Sequence, residues 1–127
     1  MASILLAEDD PAVREFVRRA LTHSGHDVTA VDDGLGAVEM LSAQGFDLLI
    51  TDIVMPGMDG IALALKVSKD HPHMPILMMT GYAAERQRAH NLEALIHTVI
   101  AKPFTLREIC NEVAETLASH APPATAA

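Results

Sequence analysis

The sequence predicts a doubly wound α/β fold: one five-stranded parallel sheet with helices on both faces. Three observations lead there. Short apolar runs alternate five times with segments of helical spacing. The runs are nearly continuous in Val, Ile, Leu and Met, the pattern of strands buried on both faces. No internal repeat occurs, and no linker is long enough to set off a second domain.

Residues 3–7, "SILLA", read as the first strand. In residues 11–25, Val13, Phe16, Val17, Ala20 and Leu21 fall on one face of a helix. Asp10 can cap it, Pro11 suits its first turn and Gly25 can end it. Residues 26–31 form strand two, and 34–44 a weaker helix capped by Asp32 or Asp33. Strand three is "FDLLIT", 46–51, and helix three spans 60–70. "MPILMMT", 74–80, is strand four, followed by a polar helix over 83–95. "HTVIA", 97–101, is strand five, and 106–118 is the last helix. Residues 1–119 make one domain, and "SHAPPATAA" reads as a frayed end, with 120–127 a disordered tail.

The chain has 127 residues, 50% hydrophobic and 20% charged, with no long apolar run. That describes a soluble globular domain without a membrane span. The start, "MASILLAEDD", lacks the basic segment of a signal peptide, and the single cysteine excludes an internal disulfide. A reducing cytoplasm is the natural setting. Cys110 lies in the series Leu106, Ile109, Cys110, Val113, Leu117 and reads as a packed small hydrophobe. The net charge of −8 would repel nucleic-acid phosphates.

In open α/β sheets, sites form outside the carboxyl ends of the strands. This sequence puts Glu8, Asp9 and Asp10 after strand one, Asp52 after strand three, Thr80 and Gly81 after strand four, and Lys102 and Pro103 after strand five. Each alone has a plain explanation as a turn former or cap. Together they converge on one rim. Clustered carboxylates repel unless a hard divalent cation joins them, and Mg²⁺ prefers oxygen ligands. Mg²⁺ and Lys102 beside a carboxylate suit phosphoryl transfer, with Asp52 as the attacking group. Thr80 can donate to phosphoryl oxygens, and Gly81 lets its backbone N–H come close.

"ILLAEDD", "TDIVMPGMDG", "MTGYAA" and "AKPF" resemble the receiver domain of bacterial response regulators, in order, over residues 3–118. The resemblance implies the flavodoxin-like strand order 2-1-3-4-5. It implies that Asp52 is the phosphoacceptor. Mg²⁺ would be held directly by Asp9, through water by Glu8, and with help from Asp52 and the Val54 carbonyl. Thr80 and Lys102, with the N–H groups of Val54 and Gly81, would hold the phosphoryl oxygens. The Lys102–Pro103 bond would be cis. Such a protein catalyses only its own phosphorylation and dephosphorylation, and its partners are a histidine kinase or a histidine phosphotransfer protein. Three positions depart from the common pattern: Glu8 where Asp is more usual, Val99 where many receivers carry a Tyr or Phe switch, and Tyr82 where relatives often carry a smaller or polar residue. Thr80, Tyr82 and Val99 are the switch candidates, with Tyr82 replacing the missing aromatic. Within the family the combination is most similar to stand-alone CpdR-type regulators. That implies a phosphorylation-controlled adaptor for the ClpXP protease or its substrates; the alternative is a phosphate shuttle or sink.

Two other classes share the topology. An aspartyl phosphatase of the haloacid dehalogenase type needs an acid two residues after its nucleophile, and here stands Val54. A flavodoxin-like cofactor binder needs phosphate-cradling N–H groups after strand one, where "AEDDP" repels anions. His71 and His73 read as a solvated loop, and Met55 and Met58 as partial cover for the site.

Overall fold

The computed structural model describes residues 2–81, 83–90 and 96–119. Tyr82, residues 91–95 at the end of the expected fourth helix, and the expected tail lie outside them. The order is β1 (Ser3–Ala7), α1 (Pro11–His23), β2 (Asp27–Val31), α2 (Gly34–Ala43), β3 (Leu48–Asp52), α3 (Gly60–Asp70), β4 (Ile76–Thr80), α4 (Ala83–His90), β5 (Thr98–Ala101) and α5 (Leu106–Ser119). The strands form one parallel sheet in the order β2-β1-β3-β4-β5. β3 is central, so its end is flanked by the ends of β1 and β4.

Alternate residues of each strand face opposite sides, which divides the interior in two. Leu5, Ala7, Leu49, Ile76 and Met78 pack with α2, α3 and Ala89 of α4. Ile4, Leu6, Leu48, Ile50, Leu77 and Met79 pack with α1 and α5. Each fully buried Leu or Ile contributes about 1.5–3 kcal/mol. These two interiors explain why the strand sequences run almost unbroken in apolar residues.

Helix starts follow the local chemistry. Asp10 Oδ1 accepts the Ala12 N–H at 2.9 Å, Asp33 Oδ1 the Gly36 N–H at 2.7 Å, and Asp59 Oδ1 the Ala62 N–H at 2.9 Å. α5 opens with a capping box: Thr105 Oγ1 accepts the Glu108 N–H at 3.1 Å and Glu108 Oε1 the Thr105 N–H at 2.9 Å.

β2 and β5 begin one residue later than expected, and β3 and β4 two residues later. β3 starts at Leu48 because Asp47 ties off the edge: its carboxylate accepts the Ser3 N–H at 2.8 Å and its N–H donates to the Ser3 carbonyl at 2.7 Å. β4 starts at Ile76 because Pro75 has no N–H for the ladder. Met55 and Met58 also differ from expectation. Met55 is buried in the α2–α3 core and Met58 packs against it, so neither roofs the site. Cys110 packs against the α1–α5 core, with Sγ 3.3 Å from Ser24 Oγ. His71 closes α3 by donating its N–H to the Val67 carbonyl at 2.7 Å, and His73 is exposed. Among the described residues no helix is long and apolar enough to cross a membrane.

Candidate functional site

Asp52 is the last residue of β3, held where the sheet ends. Its Oδ1 accepts the Ile53 N–H at 2.9 Å, leaving Oδ2 to face the rim. Behind it the chain turns through Gly57, whose φ of +74° favours a residue without Cβ, and re-enters at Gly60. The Gly60 N–H donates to the Ile53 carbonyl at 2.7 Å. A Cβ on Gly60 would lie 1.8 Å from the Asp52 carbonyl oxygen, so α3 begins directly against the backbone of Asp52.

β1 delivers Glu8, completely buried, and Asp9, exposed. Carboxylate oxygens of Glu8, Asp9 and Asp52 lie within 4.8 Å of one another. Asp10, the third consecutive acid, caps α1 instead. Lys102, just past β5, reaches across: its Nζ donates to Glu8 Oε1 at 2.8 Å and lies 3.1 Å from Asp52 Oδ2. Its own N–H donates to the Thr80 carbonyl at 2.7 Å, fixing the β5 exit to β4. The Lys102–Pro103 peptide is cis. Arg14 Nη1 donates to the Glu8 carbonyl at 2.8 Å, holding the β1 exit from α1.

The charges do not balance. Burial pushes the Glu8 carboxyl up to about 7, beyond what its hydrogen bond from Lys102 can offset, and nearby Asp52 pushes the same way. For Lys102, burial disfavours the ammonium, yet the bond to Glu8 and the charges of Glu8 and Asp52 hold it above its ordinary value. Three carboxylates against one ammonium leave room for a cation. An all-oxygen donor set at this spacing fits Mg²⁺.

Thr80 ends β4, fully buried, and its Oγ1 has no hydrogen-bond partner among the described residues. A buried hydroxyl without a partner is uncommon and points to an absent acceptor. Gly81 follows, exposed. Val54 is also exposed and lines a cleft of about 650 Å³ with Asp52, Gly81, Lys102, Val13, Phe16 and Phe104. The Phe16 and Phe104 rings pair across its apolar wall, 6.3 Å apart. Val99 lies on β5 with 41% of its surface exposed, away from this cleft.

The fold and this rim are those of a signal-receiver domain, and the chain belongs to the response regulator receiver domain family, whose profile matches residues 4–114. It is a receiver of two-component signalling. Among individual relatives, it is 43% identical over 117 residues to the response regulator receiver protein CpdR of Brucella abortus, covering 92% of this chain and 98% of CpdR. A signal receiver domain of a histidine kinase from Syntrophus aciditrophicus superposes with a TM-score of 0.85 at 29% identity, over 94% of this chain and 92% of that one. TrrA of Thermotoga maritima, solved with Mg²⁺ and BeF, superposes at 0.82 with 26% identity, over 91% of this chain and 99% of TrrA. Receiver domains bind Mg²⁺ at an acidic site and work with histidine kinases or phosphotransfer proteins.

Proposed function

We propose that residues 1–119 form a receiver phosphorylated on Asp52 with Mg²⁺, whose phosphorylation controls a protein–protein contact. The observation that carries this is the meeting of Asp52, Glu8 and Asp9 at one sheet edge, with the Lys102 ammonium between Glu8 and Asp52.

A carboxylate oxygen of Asp52 attacks the phosphorus of a phosphohistidine. The P–O bond forms as the P–N bond breaks, and the imidazole leaves with the bonding pair as a neutral ring already protonated on its other nitrogen. Glu8, Asp9, Asp52 and the Val54 carbonyl would hold Mg²⁺, which supplies charge neutralisation for the transferred group. Lys102 exchanges its carboxylate partners for a phosphoryl oxygen. The Val54 and Gly81 N–H groups and the Thr80 hydroxyl donate to the others. The unpartnered Thr80 Oγ1 supports this assignment. Val54 offers no acid or amide to position water, so the aspartyl phosphate is long-lived.

Output leaves through the face of α4, β5 and α5, where Val99 is exposed. Likeness to CpdR supports an adaptor whose unphosphorylated form binds the ClpXP protease or its substrates. Incubation with phosphoramidate and Mg²⁺ should add one phosphoryl group by intact mass. Labelling that persists in Asp52→Ala, or in EDTA, would refute the acceptor assignment. Pull-downs with Asp52→Ala and with phosphorylated protein test the output. Recovery of kinases and phosphotransfer proteins alone, in both states, would mean a phosphate shuttle.

A further inference from the structure

We propose that Glu85 is an internal stand-in for the phosphoryl group: its carboxylate occupies the Gly81 amide until phosphorylation displaces it, and this exchange reports the state of Asp52 to α4. The inference rests on the reading of Asp52 as acceptor and of the Gly81 N–H as a phosphoryl donor.

The Gly81 N–H donates to Glu85 Oε1 at 3.1 Å. Both carboxylate oxygens lie over the open side of this glycine, 3.5 and 3.7 Å from where a Cβ would stand. Glu85 lines the same cleft as Asp52 and Lys102. An anion therefore already sits on a backbone donor at the edge of the phosphoacceptor site. One backbone N–H serves one strong acceptor at a time, and a phosphoryl oxygen carries more charge than a carboxylate oxygen. The two anions also repel each other. Arrival of the phosphoryl group at Asp52 removes the partner of Glu85 and adds a like charge beside it.

The consequence falls on α4. One turn further along, Arg88 Nη2 donates to Asp59 Oδ2 at 3.2 Å, and Asp59 caps α3 on the loop that follows Asp52. Between these contacts and the sheet, Ala89 is buried. Among the described contacts, two fasten the helix one turn apart, Glu85 to the β4 exit and Arg88 to the β3–α3 loop. Of these two, the Glu85 fastening shares a donor with the phosphoryl group. Its loss frees the first turn of α4 while the Arg88 end stays anchored, which tilts the helix rather than releasing it. Glu85 is a positioning residue: it acts through the Gly81 amide and takes no part in the transfer. A glutamate in the first turn of a helix can also be only a cap for a nearby N–H, so the test must separate capping from competition.

Compare wild type, Glu85→Gln and Glu85→Ala for beryllofluoride binding in Mg²⁺, phosphoramidate labelling, and the Gly81 amide resonance of the free proteins. Glu85→Ala should bind beryllofluoride about threefold to tenfold more tightly, the scale of one hydrogen bond to a charged group discounted for exposure. Labelling should speed up in parallel. Glu85→Gln, which keeps an acceptor but not the charge, should fall between. The Gly81 proton should move upfield in Glu85→Ala, and Mg²⁺ affinity without beryllofluoride should stay the same. A wild type labelled on Asp52 whose Glu85→Ala variant binds beryllofluoride no more tightly means capping only and overturns this inference alone. So does a Gly81 resonance identical in wild type and Glu85→Ala. A wild type that takes no phosphoryl group on Asp52 overturns the underlying reading, and this inference with it.

Discussion

Lys102→Met keeps the unbranched apolar stem of the side chain and removes its ammonium from between Glu8 and Asp52. Breaking a buried ion pair by deleting one partner costs about 3–5 kcal/mol, because the other charge stays buried and unpaired. Two features lower that figure here. The Lys102 side chain is 23% exposed, so water already screens part of the interaction. Glu8, its carboxyl already pushed up to about 7, can take up a proton instead of remaining a bare anion. The expected loss in EDTA at neutral pH is therefore about 1–3 kcal/mol. Mg²⁺ should narrow the gap. A ligand at a hundredfold excess over its dissociation constant stabilises by about 2.7 kcal/mol. Without the competing ammonium, Mg²⁺ should bind the variant about tenfold more tightly, a further 1.4 kcal/mol. Urea unfolding across a Mg²⁺ series measures both terms. A variant as stable as wild type in EDTA, or one that Mg²⁺ stabilises less than wild type, would refute the idea that Lys102 and the metal answer the same excess charge.

Thr80→Val removes a buried hydroxyl without a partner, so the unphosphorylated protein should be unchanged or about 1 kcal/mol more stable, while beryllofluoride binds about tenfold more weakly; titration calorimetry and urea melts separate the two, and a loss of resting stability would show the hydroxyl is already bonded. Gly60→Ala places a methyl against the Asp52 carbonyl and should cost about 3 kcal/mol and slow labelling, because backbone cannot yield cheaply; normal labelling kinetics would argue that α3 moves aside freely. The folded-state pKa of Glu8 lies above its unfolded value, from 4.5 to about 7, so the folded metal-free protein holds a proton that the unfolded chain releases. Stability in EDTA should be full below pH 4.5 and decline toward pH 7 relative to Glu8→Gln, with Mg²⁺ abolishing the decline; a pH-independent difference would contradict it.

Much of the fold was legible because its signals are local. Unbroken apolar runs mark strands covered on both faces, and Asp10 and Asp33 stand where helix caps must. The site residues are legible because each stands at or just past the carboxyl end of a strand, and the topology brings those ends together. What escaped was contact between distant or weakly marked residues. Nothing in the chain couples Glu8 to Lys102 across 94 positions until the sheet exists. Glu85 sits in a polar helix, where one more glutamate carries no signal. Arg14 is one basic residue among several in α1, yet its guanidinium holds the end of β1. Met55 was misread because a loop methionine beside a site looks like cover, whereas the backbone turn at Gly57 sends it inward. Pro75 did carry a usable signal for where β4 begins.

The sheet that separates the two interiors also partitions what natural selection can alter. The apolar wall of the cleft, with Val13, Phe16 and Phe104, belongs to the α1–α5 side. The Glu85 and Arg88 fastenings lie on α4, rooted by Ala89 in the opposite interior. Outside the cleft, where Glu85 faces the apolar wall, a substitution that reshapes one interior reaches the other through strand backbone, which is stiff. Duplicated copies of such a gene can therefore drift in which donor they accept while keeping the same responding helix, or change the responding helix under a constant donor. Asp52, at the seam, is the position where both histories remain bound together.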